Sequence, residues 1–400
     1  MKTSSFTYPI KFICLLSIAA IFGCSKKNGG GNPPQVHITS PLPFKGSTVT
    51  RSVEINANVK ASSGFISKVE FLADGALLPH GTLTKAPYKY LWNVTSGFGG
   101  LRKITVKAYS GDGAIGQDTV SVKIWNGLVK APDPISRYAF TSNTVNGKIY
   151  VIGGYDTAQK VVEEYDPALD KWTRKASPHF GHAAHASCVI NNIIYVFGGD
   201  KGFDWIPNVE AYNPAANTWT EKASIPIDNG VAFGMMGCVA CNGMAYLIGG
   251  FGENQDVRIG VYNPVTNLWT VKSVKNVYWP GAATDNGQVF VFGGCSFRGI
   301  GTCSDATDQT QLYDAATGSF SDRAAMHFKQ SAAAVSVVSG KIYVMGGCDA
   351  DANCMEVYDP ASDKWTALPD MPVGAVNFSA SAMGNSIYIF SSKTLEYFTQ

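Results

Sequence analysis

The chain has 400 residues, too many for one ordinary core, so two folded units are expected behind any targeting segment. Only 16% of residues are charged and the net charge is +2, which excludes a basic nucleic-acid-binding surface. Forty-two glycines, eighteen tyrosines and 12% aromatics, with little helical periodicity, predict an all-β chain rich in turns.

The first residues read as a targeting segment. Lys2 and Lys11 precede an apolar run from Phe12 to Phe22, too short to span a membrane as a helix. It ends Ile21-Phe22-Gly23-Cys24. This ending resembles the lipobox of bacterial lipoproteins, with Ile21 where leucine is commonest. The resemblance implies a signal peptide over 1–23, lipidation at Cys24 and, from Ser25 after it, an outer-membrane location. Residues 24–34, SKKNGGGN at their centre, are expected to be a flexible tether. The membrane is then reached through the N-terminal lipid alone.

Residues 35–126 contain no cysteine. Alternating runs at Val36–Ile38, Val53–Val59, Lys68–Leu72, Tyr88–Trp92, Ile104–Tyr109 and Val120–Ile124, separated by turn residues, predict a small β-sandwich. With no inter-sheet disulfide to help, Phe71, Leu72, Trp92 and Val106 must supply its core. ITSPLPFKGSTV, SKVEFLADGALL and APYKYLWNV resemble an immunoglobulin-like family found beside bacterial extracellular modules, which implies a spacer.

Residues 127–400 carry a recurring stretch whose best copy is KIYVIGGYDTAQKVVEEYDPALDKW, from Lys148 to Trp172. Glycine pairs recur at Gly153, Gly198, Gly249, Gly293 and Gly346, each followed by Tyr165, Tyr212, Tyr262, Tyr313 or Tyr358. Seven residues after each tyrosine stands Trp172, Trp219, Trp269, Phe320 or Trp365. Repeats of this length with four strand-sized segments predict propeller blades, and the glycine, tyrosine and tryptophan set strongly resembles the kelch family. The aromatics are expected to pack blade against blade. A sixth blade is predicted from SASAMGNSIYIFSSKTLEYFTQ, with Ser391-Ser392 for the glycine pair and Tyr397 for the tyrosine. Its fourth strand is expected from the other end of the region, with Leu128 in the tryptophan position, so that the ring closes without exposed edges. The fold class is therefore an immunoglobulin-like β-sandwich followed by a six-bladed kelch-type propeller with a composite closing blade.

The loop after each glycine pair and the loop entering each blade should share one face, and residues outside the repeat pattern there are ligand-binding candidates. Sixteen residues before the first glycine stand Arg137, His182 and Gln330. Asp228 lies nearby in the third blade, and Tyr278 and Trp279 in the fourth. Phe203 and Trp205 follow the second glycine pair. Indole faces stack on sugar rings and arginine grips carboxylates. This set suits a polar organic ligand such as a sugar, or a protein partner. His179, His182 and His185 form the one histidine cluster, but no local carboxylate accompanies them, and His327 repeats the place of His179. No metal and no cofactor is expected. No phosphate-binding glycine loop, nucleophile elbow or zinc-protease motif occurs.

Cys295 with Cys303, and Cys348 with Cys354, bracket loops after glycine pairs in adjacent blades and are expected to be disulfides, if the chain is exported. Cys188 and Cys238 lie on innermost strands of consecutive blades and could pair. Cys241 completes a CxxC spacing, but within a strand and away from any helix N-terminus. The reading is an exported, lipid-anchored binding protein. The alternative is a sugar mutarotase: exported six-bladed kelch proteins include ones similar to N-acetylneuraminate epimerase. That resemblance implies Arg137 as carboxylate clamp and an acid or base among His182, Asp228 and the neighbours of Gln330.

Overall fold

The computed structural model describes residues 31–41, 48–49, 52–93, 100–202, 204–226, 234–250, 258–273, 279–295, 305–348, 352–374 and 377–399. Among these there is strand and turn but no helix, hence none long and apolar enough to cross a membrane.

The first unit is a sandwich of two sheets. One has the order β1 (Gln35–Ser40), β3 (Ser52–Lys60), β6 (Lys89–Asn93). The other has the order β2 (Thr48–Val49), β8 (Ile115–Ile124), β7 (Gly100–Ser110), β4 (Ile66–Ala73), β5 (Ala76–Leu83). Phe71, Trp92 and Val106 meet Ile55, Val69 and Ile104 in one buried cluster, so period-two alternation alone supplies this core. Strand β5 is not foreshadowed by its sequence, ALLPHGTL. Pro79 and Gly81 are tolerated because β5 lies at the sheet edge, where the register shifts between Glu70 and Leu72 of its partner.

The second unit begins with β9 (Gly127–Val129), followed by five four-stranded antiparallel sheets, each formed in chain order. Blade one is β10 (Thr141–Val145), β11 (Lys148–Ile152), β12 (Val162–Asp166) and β13 (Lys171–Arg174). Blade two is β14 (Ala186–Ile190), β15 (Ile193–Phe197), β16 (Val209–Asn213) and β17 (Thr218–Lys222). Blade three is β18 (Gly237–Cys241), β19 (Met244–Ile248), β20 (Arg258–Asn263) and β21 (Leu268–Ser273). Blade four is β22 (Gly281–Asp285), β23 (Gln288–Phe292), β24 (Thr310–Asp314) and β25 (Ser319–Asp322). Blade five is β26 (Ala334–Val338), β27 (Lys341–Met345), β28 (Met355–Asp359) and β29 (Lys364–Leu368). The last sheet joins β30 (Ser379–Met383), β31 (Ser386–Phe390) and β32 (Thr394–Phe398) to β9, so both ends of the region share one blade. The first strand of each blade touches the first strand of the next, and β30 touches β10, which closes the ring.

Second strands are buried on both faces, as a middle strand between two neighbouring blades must be. Third and fourth strands pair so that tyrosine faces tryptophan: Tyr165 opposite Trp172, Tyr212 opposite Trp219, Tyr262 opposite Trp269, Tyr358 opposite Trp365. Each pair also grips the preceding blade. Tyr165 Oη donates to Asp170 at 2.6 Å, the same carboxylate oxygen accepts the Ala131 N–H at 2.9 Å, and Trp172 Nε1 donates to the Ala131 carbonyl at 3.0 Å. Asn217 with Ala176, Asn267 with Ala223, and Asp363 with Ala324 repeat the clamp. The repeat aromatics therefore join blades, as the pattern predicts. Blade four lacks the clamp: Gly318 stands in the Asp/Asn position, Phe320 replaces tryptophan, and the buried Tyr313 hydroxyl has no partner.

The closing blade corrects one expectation. Tyr397 is opposite Gly127, not Leu128, which pairs with Glu396. The missing indole comes from Trp125, whose ring centroid lies 4.9 Å from that of Tyr397. A side chain at 127 would collide with the Glu396 carbonyl and with that indole, so glycine is required there. Trp125 thus lies in the core of the closing blade, one residue after β8 ends.

Candidate functional site

In each blade the first strand pairs antiparallel with the second, and the first residue of β10, Thr141, faces the last of β11, Ile152. The entering loop and the glycine pair therefore meet at one end of the ring. At Gly153-Gly154 the backbone adopts φ of 67° and 109°, and Gly154 N–H donates to the His182 carbonyl of the next blade at 2.9 Å. A side chain on Gly153 would occupy the place of that carbonyl, which is why the pair is glycine.

Fourteen residues before the first glycine, or before Ser391 in the sixth blade, stand Ala139, Ala184, Met235, Trp279, Ala332 and Asn377. All six have left-handed backbone, with φ between 47° and 56°. Their main chains link blade to blade. Ala139 N–H donates to Asn377 O at 2.7 Å, Ala184 to Ala139 at 2.7 Å, Met235 to Ala184 at 2.9 Å, Trp279 to Met235 at 3.2 Å and Ala332 to Trp279 at 3.1 Å. This forms a hydrogen-bonded collar around the axis. Left-handed backbone costs a non-glycine residue about 1–3 kcal/mol, and the inter-blade bonds offset that cost while the side chains stay free to face the axis.

The collar rims a bowl of about 430 Å³. Its described wall is aromatic and apolar: Tyr138, Phe140, Tyr155, Trp279 and Phe378, with Met235 and Met236. Tyr138 is 48% exposed and stacks on Tyr155 at 5.0 Å; Tyr155 is fixed by donating its hydroxyl to the buried Asp200 at 2.7 Å. Besides the tyrosine hydroxyls and the Trp279 indole N–H, the polar side chains of the wall are Asn377 and His185. Phe140, His185, Met236, Pro280, Ala333 and Phe378 also border a second cavity of about 210 Å³ along the first strands, so they form the partition between bowl and inner channel. His185 is 6% exposed, and its Nε2 lies 2.8 Å from Thr141 Oγ1. Burial, and then the neighbouring His182, hold its ring well below the ordinary imidazole value, so it is neutral at pH 7. No carboxylate, lysine or arginine is among the described lining residues.

Of the side chains singled out by sequence, Trp279 lines this bowl; Arg137, His182 and Gln330 do not. They lie two residues before the collar and turn into the blades. Arg137 is held by Asp133 through Nε at 2.9 Å and Nη2 at 3.1 Å, with Nη1 donating to the Gly153 carbonyl at 3.3 Å. Its side chain is 1% exposed, which leaves no fork for a ligand carboxylate. His182 Nδ1 donates to the Gly198 carbonyl at 2.8 Å, and Nε2 shares a proton with Glu210 across 2.9 Å. Gln330 Nε2 donates to Glu356 at 3.2 Å.

The two glutamates occupy matching places and anchor matching loops. Glu210 accepts the backbone N–H of His179 and Phe180, and Glu356 that of His327. Burial raises both carboxyls. At Glu210 the hydrogen bonds from His182 and the two amides outweigh it, and its carboxyl ends below the usual value; at Glu356, facing Gln330, burial wins and it ends above. The histidine cluster is thus a loop anchor, and no grouping of potential metal ligands occurs among the described residues.

Trp205 lies against Gly234 and packs on the core shared by blades two and three. Cys348 and Cys354 form a disulfide with Cα atoms 6.3 Å apart, and Cys295 is disulfide-bonded. Cys24, Phe203, Asp228, Tyr278 and Cys303 lie outside the described residues.

A closed ring of four-stranded sheets, with a bowl on its axis and the last sheet shared by both ends of the repeat region, defines a β-propeller. Residues 136–179, 182–226 and 331–372 match the Kelch motif, and residues 34–122 match the bacterial Ig domain. The chain is a kelch-repeat propeller preceded by an immunoglobulin-like domain. It is 26% identical over 265 residues to Kelch-like protein 25 of Xenopus tropicalis, covering 62% of this chain and 44% of that one. It is 25% identical over 261 residues to Beta-scruin of Limulus polyphemus, covering 59% and 28%. It is 36% identical over 149 residues to Kelch-like protein terF of Aspergillus terreus, covering 34% and 31%. The chain therefore spans less than half the length of these curated relatives. The solved structure of YjhT superposes with a TM-score of 0.54 at 16% identity, covering 68% of this chain and 96% of that one, a likeness of fold.

Proposed function

We propose that this protein is a binding module that seats a neutral sugar ring in the axial bowl. One observation carries the reading: the bowl has the volume of a small-ligand site and a wall of aromatic rings, with an amide and a neutral imidazole beside the tyrosine hydroxyls and the indole N–H, and no carboxylate, lysine or arginine among its described lining residues. Tyr138 and Trp279 offer ring faces for stacking on C–H groups, while Asn377 supplies both a donor and an acceptor for hydroxyls. An acidic sugar is disfavoured, because Arg137 is spent on Asp133. The mutarotase reading loses its carboxylate clamp for the same reason, although the likeness of fold to YjhT is compatible with it.

Kelch propellers generally bind proteins, and the same bowl would accept one projecting aromatic side chain of a partner. Calorimetric titration with a panel of neutral glycans separates the two. Saturable binding that falls at least about tenfold in Tyr138→Ala and Trp279→Ala supports the sugar site. Absence of glycan binding, with recovery of a protein partner lost in the same variants, would replace it. Anomer exchange followed by NMR in the same samples tests mutarotation. Anchoring through a lipid on Cys24, at the outer membrane, belongs to the same proposal. Retention of Cys24→Ala in the membrane fraction would refute it.

A further inference from the structure

We propose that Cys188 and Cys238 form a modification site, an oxidisable thiol pair that closes as a disulfide across the seam between blades two and three. The other seams show the pattern. On neighbouring first strands, the third residue of one blade meets the second residue of the next. Asn143 Nδ2 donates to Ser187 Oγ at 2.7 Å across the seam of blades one and two. Ser381 and Ser142 hydroxyls are 2.8 Å apart across the seam of blades six and one. Cys188 is the third residue of β14 and Cys238 the second of β18, and these two strands are neighbours. The same register sets Cys188 against Cys238 in one packed cluster, and both thiols are free. Cys241, the remaining described free thiol, is at the far end of β18 and donates to the Gly287 carbonyl at 3.2 Å, so it does not compete.

Access comes from the axis. Cys188 is 6% exposed, whereas the half-buried Cys238 borders the inner channel. The oxidant is a small disulfide. Cys238 Sγ, as thiolate, attacks its S–S bond and expels one thiol. Cys188 Sγ then attacks the mixed disulfide and expels the second. Two electrons and two protons pass from the protein to the oxidant; one S–S bond forms as one is lost. Burial pushes the Cys238 thiol up, so exchange quickens as pH rises from 7 to 9. The new bond would lie in the seam already bridged by the Met235–Ala184 collar bond.

The test uses the full wild-type chain, folded, with oxidised glutathione as the oxidant. After oxidation the protein is denatured and alkylated without reduction, then mapped peptide by peptide. The expected result is a peptide pair joined through Cys188 and Cys238, an alkylated Cys241, and a rise in Tm of roughly 5 °C or more. Recovery of both Cys188 and Cys238 as alkylated thiols would overturn the proposal. So would two separate glutathione adducts with no cross-link.

Discussion

Trp125 stands over Tyr397 at the same 4.9 Å centroid separation that Trp172 keeps from Tyr165, although its place in the strand register differs. One difference remains. Trp172 Nε1 donates to Ala131, whereas Trp125 Nε1 is buried without a partner. The ring of Trp125 is thus wanted for its area and not for its hydrogen bond. Trp125→Ala is expected to destabilise the propeller by about 3–5 kcal/mol. Trp125→Phe should cost distinctly less than Trp172→Phe, because only the latter strands a carbonyl. Urea denaturation of the four proteins, wild type included, checks this. Equal losses for the two phenylalanine variants would contradict it.

Blade four offers the converse experiment. Gly318 has φ of 74°, and the matching Asn217 and Asn267 have 54° and 56°. Gly318→Asn is therefore compatible with the backbone and places an acceptor beside the orphaned Tyr313 hydroxyl. Stiffening of the unfolded chain and the new bond together are expected to add about 1 kcal/mol. Tm should rise by roughly 2–4 °C, and the share of the gain owed to the new bond should vanish in a Tyr313→Phe background.

Arg137 is predicted to matter for folding and not for binding. Arg137→Met leaves Asp133 without its ion pair at 10% exposure, and a loss of about 3 kcal/mol is expected. Any ligand affinity of the bowl, measured by calorimetry on the folded fraction, should stay within about twofold of wild type. A larger loss of affinity would return Arg137 to the site.

The two loop-anchoring glutamates should respond oppositely to pH. The folded-state carboxyl of Glu210 lies below its unfolded value of about 4.3. Its contribution is present above that pH and is lost as pH falls through the folded value. Glu356 lies above the unfolded value, so stability is lost as pH rises from about 4.3 through its folded value. Glu210→Gln should therefore weaken the protein at pH 7 and flatten the rise in stability from pH 3 to 7. Glu356→Gln should cost less at pH 7 and steepen that rise. Denaturation midpoints across the range decide it.

The frame was legible in sequence because it is repeated: the same glycine, tyrosine and tryptophan spacing appears wherever the same seam must be built. The site was less so. Counting sixteen residues back from a glycine pair reaches Arg137, His182 and Gln330, whose polar chemistry serves the loops. Counting fourteen reaches the collar, whose residues look unremarkable as Ala139 or Ala332 until their backbone is seen to be left-handed. Trp125 escaped because its function does not depend on register, and Leu128 was favoured by a linear alignment that does. His185 was visible in the histidine cluster, but only the three-dimensional arrangement distinguishes it, on the partition beneath the bowl, from His182 inside the blade.

The collar has a further consequence. Five amides and five carbonyls of the collar are used in bonds from blade to blade. Main-chain groups used in this way are not available to a ligand, so recognition falls to side chains. Six of the side chains that line the bowl stand on this collar and take no part in the tyrosine and tryptophan seams. Such a surface can be rewritten one position at a time, at Ala139, Ala184 or Ala332, as a receptor whose target changes while its architecture stays the same.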